Sequence, residues 1–94
     1  MSSKILIKIL KALANDKRVK ILKLLLSGIE MDVTEISEEL KMPFRTVSQH
    51  LGKLRLIDLI EFRRQDLRNY YSVSIADQAI VRGLLRIVLK YYKD

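Results

Sequence analysis

Residues 43–56 sort their side chains by chemistry at helical spacing. At about 100° per residue, with Val47 set to zero, Leu51 falls at about 40° and Leu54 at about −20°, so these three define one buried face. Phe44 and His50 border it at about ±60°. On the far side lie Arg45 at about 160°, Gln49 at about 200°, Gly52 at about 140° and Lys53 at about 240°, with Thr46 and Ser48 on the shoulders. No acid interrupts that outer face. A merely solvated face mixes signs, whereas this one carries donors and acceptors suited to base edges and cations suited to phosphates. Gly52 in mid-helix costs up to about 1 kcal/mol relative to Ala, which is tolerable where a phosphate backbone comes close.

The flanking residues supply the rest of a helix-turn-helix over 32–56. Asp32 and Glu35 stand at capping-box spacing, which predicts a short helix to about Leu40 with Val33, Ile36 and Leu40 inward. Lys41-Met42 makes the turn, and Pro43 sits as a first helical residue, where its missing N–H costs nothing. Upstream, residues 4–14 place Ile5, Leu6, Ile9, Leu10 and Leu13 on one stripe. Asn15-Asp16 then caps a second helix lined by Val19, Leu22 and Leu26, which Ser27-Gly28 ends. Downstream, residues 59–62 and 69–73 read as strands around the basic stretch 63–68, so that residues 59–73 form a wing whose Arg63, Arg64 and Arg68 suit phosphates or the minor groove. Ser74 with Asp77 caps a last helix over 75–92. Its apolar residues Ile80, Val81, Leu84, Leu85, Ile87, Val88, Leu89, Tyr91 and Tyr92 cover more than half its circumference.

A chain of 94 residues, 49% of them hydrophobic, is expected to be one domain over 1–94 whose terminal helices hide apolar surface in a second subunit. The predicted class is mainly α with a small β-hairpin wing: five helices in a winged helix-turn-helix that dimerises through the first helix (1–14) and the last (75–94). The formal charge of +7 is unevenly spread: residues 28–40 hold five acids and no base, and basic segments flank them. That distribution suits a polyanionic partner. With no Cys and a single His, disulfides, thiolate metal sites and a Cys nucleophile are excluded, and no metal or cofactor is expected. No apolar run approaches the roughly 20 residues a membrane span needs, so no membrane partner is expected. Residues 1–14 interleave Lys4, Lys8 and Lys11 with aliphatics, unlike an export segment, which points to a cytoplasmic, nucleoid-associated protein.

Three features admit a second reading. His50 beside an apolar face could be a metal ligand or a base, but suits packing or a phosphate contact better. Tyr91-Tyr92 could line an aromatic ligand pocket, but fits a dimer interface or core. Asp32 and Glu35 could form an acid/base pair, yet helix capping explains both. No nucleophile, phosphate loop or acid/base constellation is present, so an enzyme is not expected.

Residues 10–73 resemble the ArsR-type winged-helix repressors. The stretch Leu13-Ala14-Asn15-Asp16-Lys17-Arg18-Val19-Lys20-Ile21-Leu22 is similar to the start of that family's second helix. Val47-Ser48-Gln49-His50-Leu51-Gly52-Lys53-Leu54 matches its recognition-helix signature, and Arg63-Arg64 through Tyr70-Tyr71 resembles its wing. The resemblance implies DNA binding by a symmetric dimer built on the first and last helices, with His50 near the DNA backbone. Together with the outer face of 43–56, the basic wing and the apolar terminal helices, it leads to the expectation of an inverted repeat in double-stranded DNA contacted by Arg45, Thr46, Ser48, Gln49, His50, Lys53, Arg63, Arg64 and Arg68, and of a dimer interface at Ile5, Ile9, Leu84, Val88, Tyr91 and Tyr92. The chain departs from the family's metal sensors: Asp32-Val33-Thr34 stands where thiol sensors carry two Cys, and Asp77-Gln78-Ala79 and Lys90-Tyr91-Tyr92-Lys93 replace the zinc-binding motifs of the last helix. Asp58 and Asp66 replace two customary glycines. The expectation is a dimeric, metal-independent DNA-binding transcription regulator, a repressor. The competing reading is a winged-helix module that docks a protein of the transcription machinery or of a host.

Overall fold

The structure, a computed structural model, describes residues 2–74 and 79–93. Five helices and one hairpin follow in chain order among them: α1 (Ser3–Leu13), α2 (Asp16–Leu25), α3 (Val33–Leu40), α4 (Phe44–Leu56), β1 (Ile60–Gln65), β2 (Arg68–Val73) and α5 (Ala79–Tyr91). The winged helix-turn-helix expected from the sequence is the observed architecture. None of these helices is long and apolar enough to cross a membrane.

The starts of α1, α2 and α3 are each set by a side chain that accepts from an otherwise unpartnered N–H. Ser2 accepts from the Ile5 amide at 3.2 Å and Asn15 from that of Arg18 at 3.1 Å. Asp32 and Glu35 form the full reciprocal box, at 2.8 and 3.0 Å. Lys41 ends α3 in the left-handed region at φ 54°. Pro43 lies one residue earlier than expected: it precedes α4, extended at ψ 141°, and its carbonyl accepts from Val47 at 3.1 Å. A proline at the cap needs no N–H either.

α4 closes through two bonds, Asp58 N–H to Arg55 and Leu59 N–H to Leu54. Asp58 takes φ 58° between them, so the carboxylate residue fills the glycine's place in this stop and the adjoining Leu59 is driven into the core. The strands run longer than the sequence suggested. Residues 63–65 and 68 are paired, Arg63 with Tyr70, Arg64 with Asn69 and Gln65 with Arg68, which leaves only Asp66-Leu67 as the turn. Both turn residues have positive φ, 49° and 68°, the two-residue form whose twist suits an antiparallel ribbon. Met31 and Tyr71 exchange backbone bonds at 2.8 and 3.3 Å, which ties the loop before α3 to β2.

The core joins α1, α2, α3, α4, β1 and α5 through residues such as Ile9, Leu22, Ile36, Val47, Leu51, Leu54, Ile60 and Leu85. The three α4 positions assigned inward from the sequence are all buried. Ile9 requires a correction. Expected at a dimer interface, it is 1% exposed within the single chain, because the α1 stripe turns it onto α2, and so it has no area left for a partner. Around it Ile5, Ile7 and Leu10 remain exposed, as do Ile87 and Tyr91 on α5. Asp77, expected to cap the last helix, lies outside the described residues, as do the side chains of Ile80 and Val81. The Ser74 hydroxyl donates to Asp58 O at 2.8 Å.

Candidate nucleic-acid interface

Burial of Val47, Leu51 and Leu54 against the core dictates what α4 turns outward. Arg45, Ser48, Gln49 and Lys53 are exposed, while Thr46 and His50 are half-buried at the edges. Arg45, Gln49 and Lys53 make no ion pair or side-chain hydrogen bond among the described residues. Gln49, Gly52, Lys53, Arg55 and Leu56 line an open depression along this face. A Cβ built at Gly52 meets nothing within 4 Å, so the glycine is required neither by its own turn nor by neighbouring protein atoms. Arg55 belongs to the same surface, and the sequence reading missed it. Its position on the shoulder near Ser48 was the available signal.

His50 is fixed by a residue 32 positions away. Arg18 lies with its guanidinium 3.3 Å from Nδ1, donates to Ala12 O at 2.8 Å and reaches Lys11 O at 3.4 Å. Arginine cannot accept, so Nδ1 takes the hydrogen bond and the ring proton resides on Nε2. Burial, then the charges of Arg18, Lys53 and Lys17, hold the imidazole pKa below its usual 6.5. The ring is therefore a neutral Nε2–H donor at neutral pH, which suits a phosphate oxygen and not a metal.

The wing cations do not form one class. Arg63 donates to Glu30 at 2.8 Å, hydrogen-bonds Gln65 and stacks on Tyr70 at 5.1 Å. Arg68 stands 3.5 Å from Asp32, whose other oxygen caps α3. Among the described residues Arg64 hydrogen-bonds the neutral Asn69, at 3.3 Å, and pairs with no acid, so its charge is left for a partner. Arg55 lies 4.3 Å over the Phe62 ring and joins the base of the wing to α4. Two of the three arginines read from the sequence are thus partly neutralised by Glu30 and Asp32, which only the fold brings near. Among the described residues no group of three or more His, Asp or Glu gathers into a metal-ligand cluster.

Of the expected interface residues at the termini, Leu84 and Val88 are half-buried and Tyr91 is exposed. Tyr92 is engaged within the chain: its hydroxyl hydrogen-bonds Asp16, and Lys23 lies 5.9 Å over its ring.

Residues 15–61 match the profile of the family described as bacterial regulatory protein, arsR family. The transcriptional repressor PagR of Bacillus anthracis is 36% identical over 80 residues, which covers 85% of this chain and 77% of that protein. The structure of reduced HlyU from Vibrio cholerae superposes with a TM-score of 0.81 at 30% identity, covering 98% of this chain and 93% of that one. A Mycobacterium bovis domain, solved by NMR and titled a homodimeric winged helix-turn-helix DNA-binding domain, superposes with a TM-score of 0.79 at 32% identity over 97% of this chain and 83% of its own. The profile match runs from α2 to the start of β1, the similar structures extend over nearly the whole chain, and the chain belongs to the arsR family of bacterial regulatory proteins.

Proposed function

We propose that the chain acts as a homodimer that binds an inverted repeat in duplex DNA sequence-specifically and represses transcription, independently of metal ions. The observation that carries this reading is the outer face of α4, where Arg45, Gln49 and Lys53 stand exposed and, among the described residues, have no ion-pair partner. Arg suits G and Gln suits A in the major groove, while Lys53, His50 and the wing suit the backbone. Exposed Ile5, Ile7, Leu10, Ile87 and Tyr91 on the terminal helices support a partner subunit there. Ile5, Leu84, Val88 and Tyr91 remain the interface candidates, with Tyr92 at its edge. A twofold dimer would set its α4 helices about 34 Å apart, one DNA turn.

PagR is a repressor by name and HlyU an activator. Repression is the sense proposed here, since a small dimer on promoter DNA excludes polymerase by occupancy alone. Its place of work is then the cytoplasm, at the nucleoid. The donor set supports metal independence: Asp32 is committed to its cap and to Arg68, and the lone His is held on α4 by Arg18.

Selection of duplexes from a randomised pool by the purified protein, followed by anisotropy titration, tests the reading. A palindromic consensus is expected. Arg45→Ala or Gln49→Ala should each cost about 1–3 kcal/mol and relax preference at particular base pairs. No enrichment, or a clean monomer in sedimentation equilibrium, would overturn it; stoichiometric release of the operator by zinc, cadmium or arsenite would overturn metal independence. The protein-docking alternative has the exposed Leu67 at the wing tip in its favour, and it requires that selection fail.

A further inference from the structure

We infer that a depression between α1, α2 and α4 seats a backbone phosphate of duplex DNA, in addition to the phosphates reached from the outer face of α4 and the wing. This rests on the DNA-binding reading. The depression is lined by Lys8 and Lys11 of α1, Ala12, Arg18 of α2, Lys53 of α4 and Ile57. Four cations share it, and no acid does. Like charges gathered without a counter-charge repel, so the arrangement gains most when an anion enters.

Three further observations point the same way. Arg18 directs its fork at the carbonyls of Lys11 and Ala12, which covers the negative end of α1 instead of leaving it to repel an anion. Lys8, Lys11 and Lys53 have no acidic partner among the described residues. His50, on the same seam, has its pKa lowered first by burial and then by the charges of Arg18, Lys53 and Lys17, two of which line the depression.

Continuity decides the occupant. Lys53 lines both this depression and the one along the outer face with Gln49 and Gly52, so one basic surface runs unbroken from the reading face of α4 onto α1. A polyanion lying on that face passes over both, whereas a free phosphate would need only one.

The test uses the full chain and the duplex selected by the wild-type protein. Lys8→Gln/Lys11→Gln should lower the slope of log affinity against log salt by about one unit per protomer, with base preference unchanged. Lys4→Gln, on the same helix but outside the depression, should leave the slope as it is. An unchanged slope in the double variant overturns the inference while wild-type binding stands; an equal fall in Lys4→Gln also overturns it, by showing a general charge effect. Saturable amide shifts at Lys8 and Lys11 when adenosine monophosphate is titrated without DNA would assign the depression to a small phosphorylated ligand, and so overturn the backbone assignment. Failure of the wild-type protein to bind any duplex would overturn the underlying reading instead.

Discussion

Arg18 and His50 meet at 3.3 Å across the seam between α2 and α4, and the same guanidinium holds the last carbonyls of α1. One side chain thereby connects a helix proposed for dimerisation with the helix proposed to read DNA. Its bonds are partly buried, so Arg18→Ala should destabilise the chain by about 1–3 kcal/mol, measured by urea denaturation, and Arg18→Lys should not restore it because lysine lacks the fork. Loss of the neighbouring charge should also raise the His50 pKa toward 6.5, followed by NMR titration.

The pH dependence has a definite sign. The folded pKa of His50 lies below the unfolded value near 6.5, so between the two the unfolded chain binds more protons and stability falls as pH drops below about 6.5. His50→Asn keeps an acceptor for Arg18 but does not titrate. Denaturation midpoints between about pH 7.5 and about pH 5 should decline less in that variant than in the wild type. Equal declines would show that other groups set the acid sensitivity.

Gly52 separates stability from binding. Open space around its Cβ direction means that Gly52→Ala should stabilise the free protein, by up to about 1 kcal/mol, through better helix propensity. If α4 lies against a DNA backbone or groove floor, the same methyl should weaken operator affinity severalfold. A variant that is both more stable and binds as tightly would show that no close approach occurs at this turn.

The wing should respond in opposite directions to two substitutions. Arg64→Ala should reduce the salt slope of DNA binding by about one unit per protomer. Glu30→Gln releases Arg63 from its 2.8 Å ion pair and should steepen that slope, at little cost in stability because the pair is exposed. If Glu30→Gln leaves it unchanged, Arg63 does not reach a phosphate.

Leu67 is a branched side chain at φ 68° with 86% of its surface exposed. Leu67→Gly should relieve left-handed strain by more than the added chain entropy opposes, for a net gain of about 0.5–1 kcal/mol in thermal or urea unfolding. A loss would show that the Leu67 side chain has a packing role which the hairpin turn conceals.

Local sequence determined much of this protein. Caps at Asn15 and Asp32 and the inward set Val47, Leu51 and Leu54 all depend on residues within one or two turns of each other, and periodicity and turn chemistry report such relations directly. The outer face of α4 was legible for the same reason: on a helix, burying one side fixes what the other side presents. Tertiary structure decided the rest. The pairing of Arg63 with Glu30 and Arg68 with Asp32, the hold of Arg18 on His50, the engagement of Tyr92 by Asp16 and the withdrawal of Ile9 into the core join residues far apart in the chain. No spacing rule encodes them, because which charges neutralise each other and which apolar side chains stay exposed depend on how the helices pack.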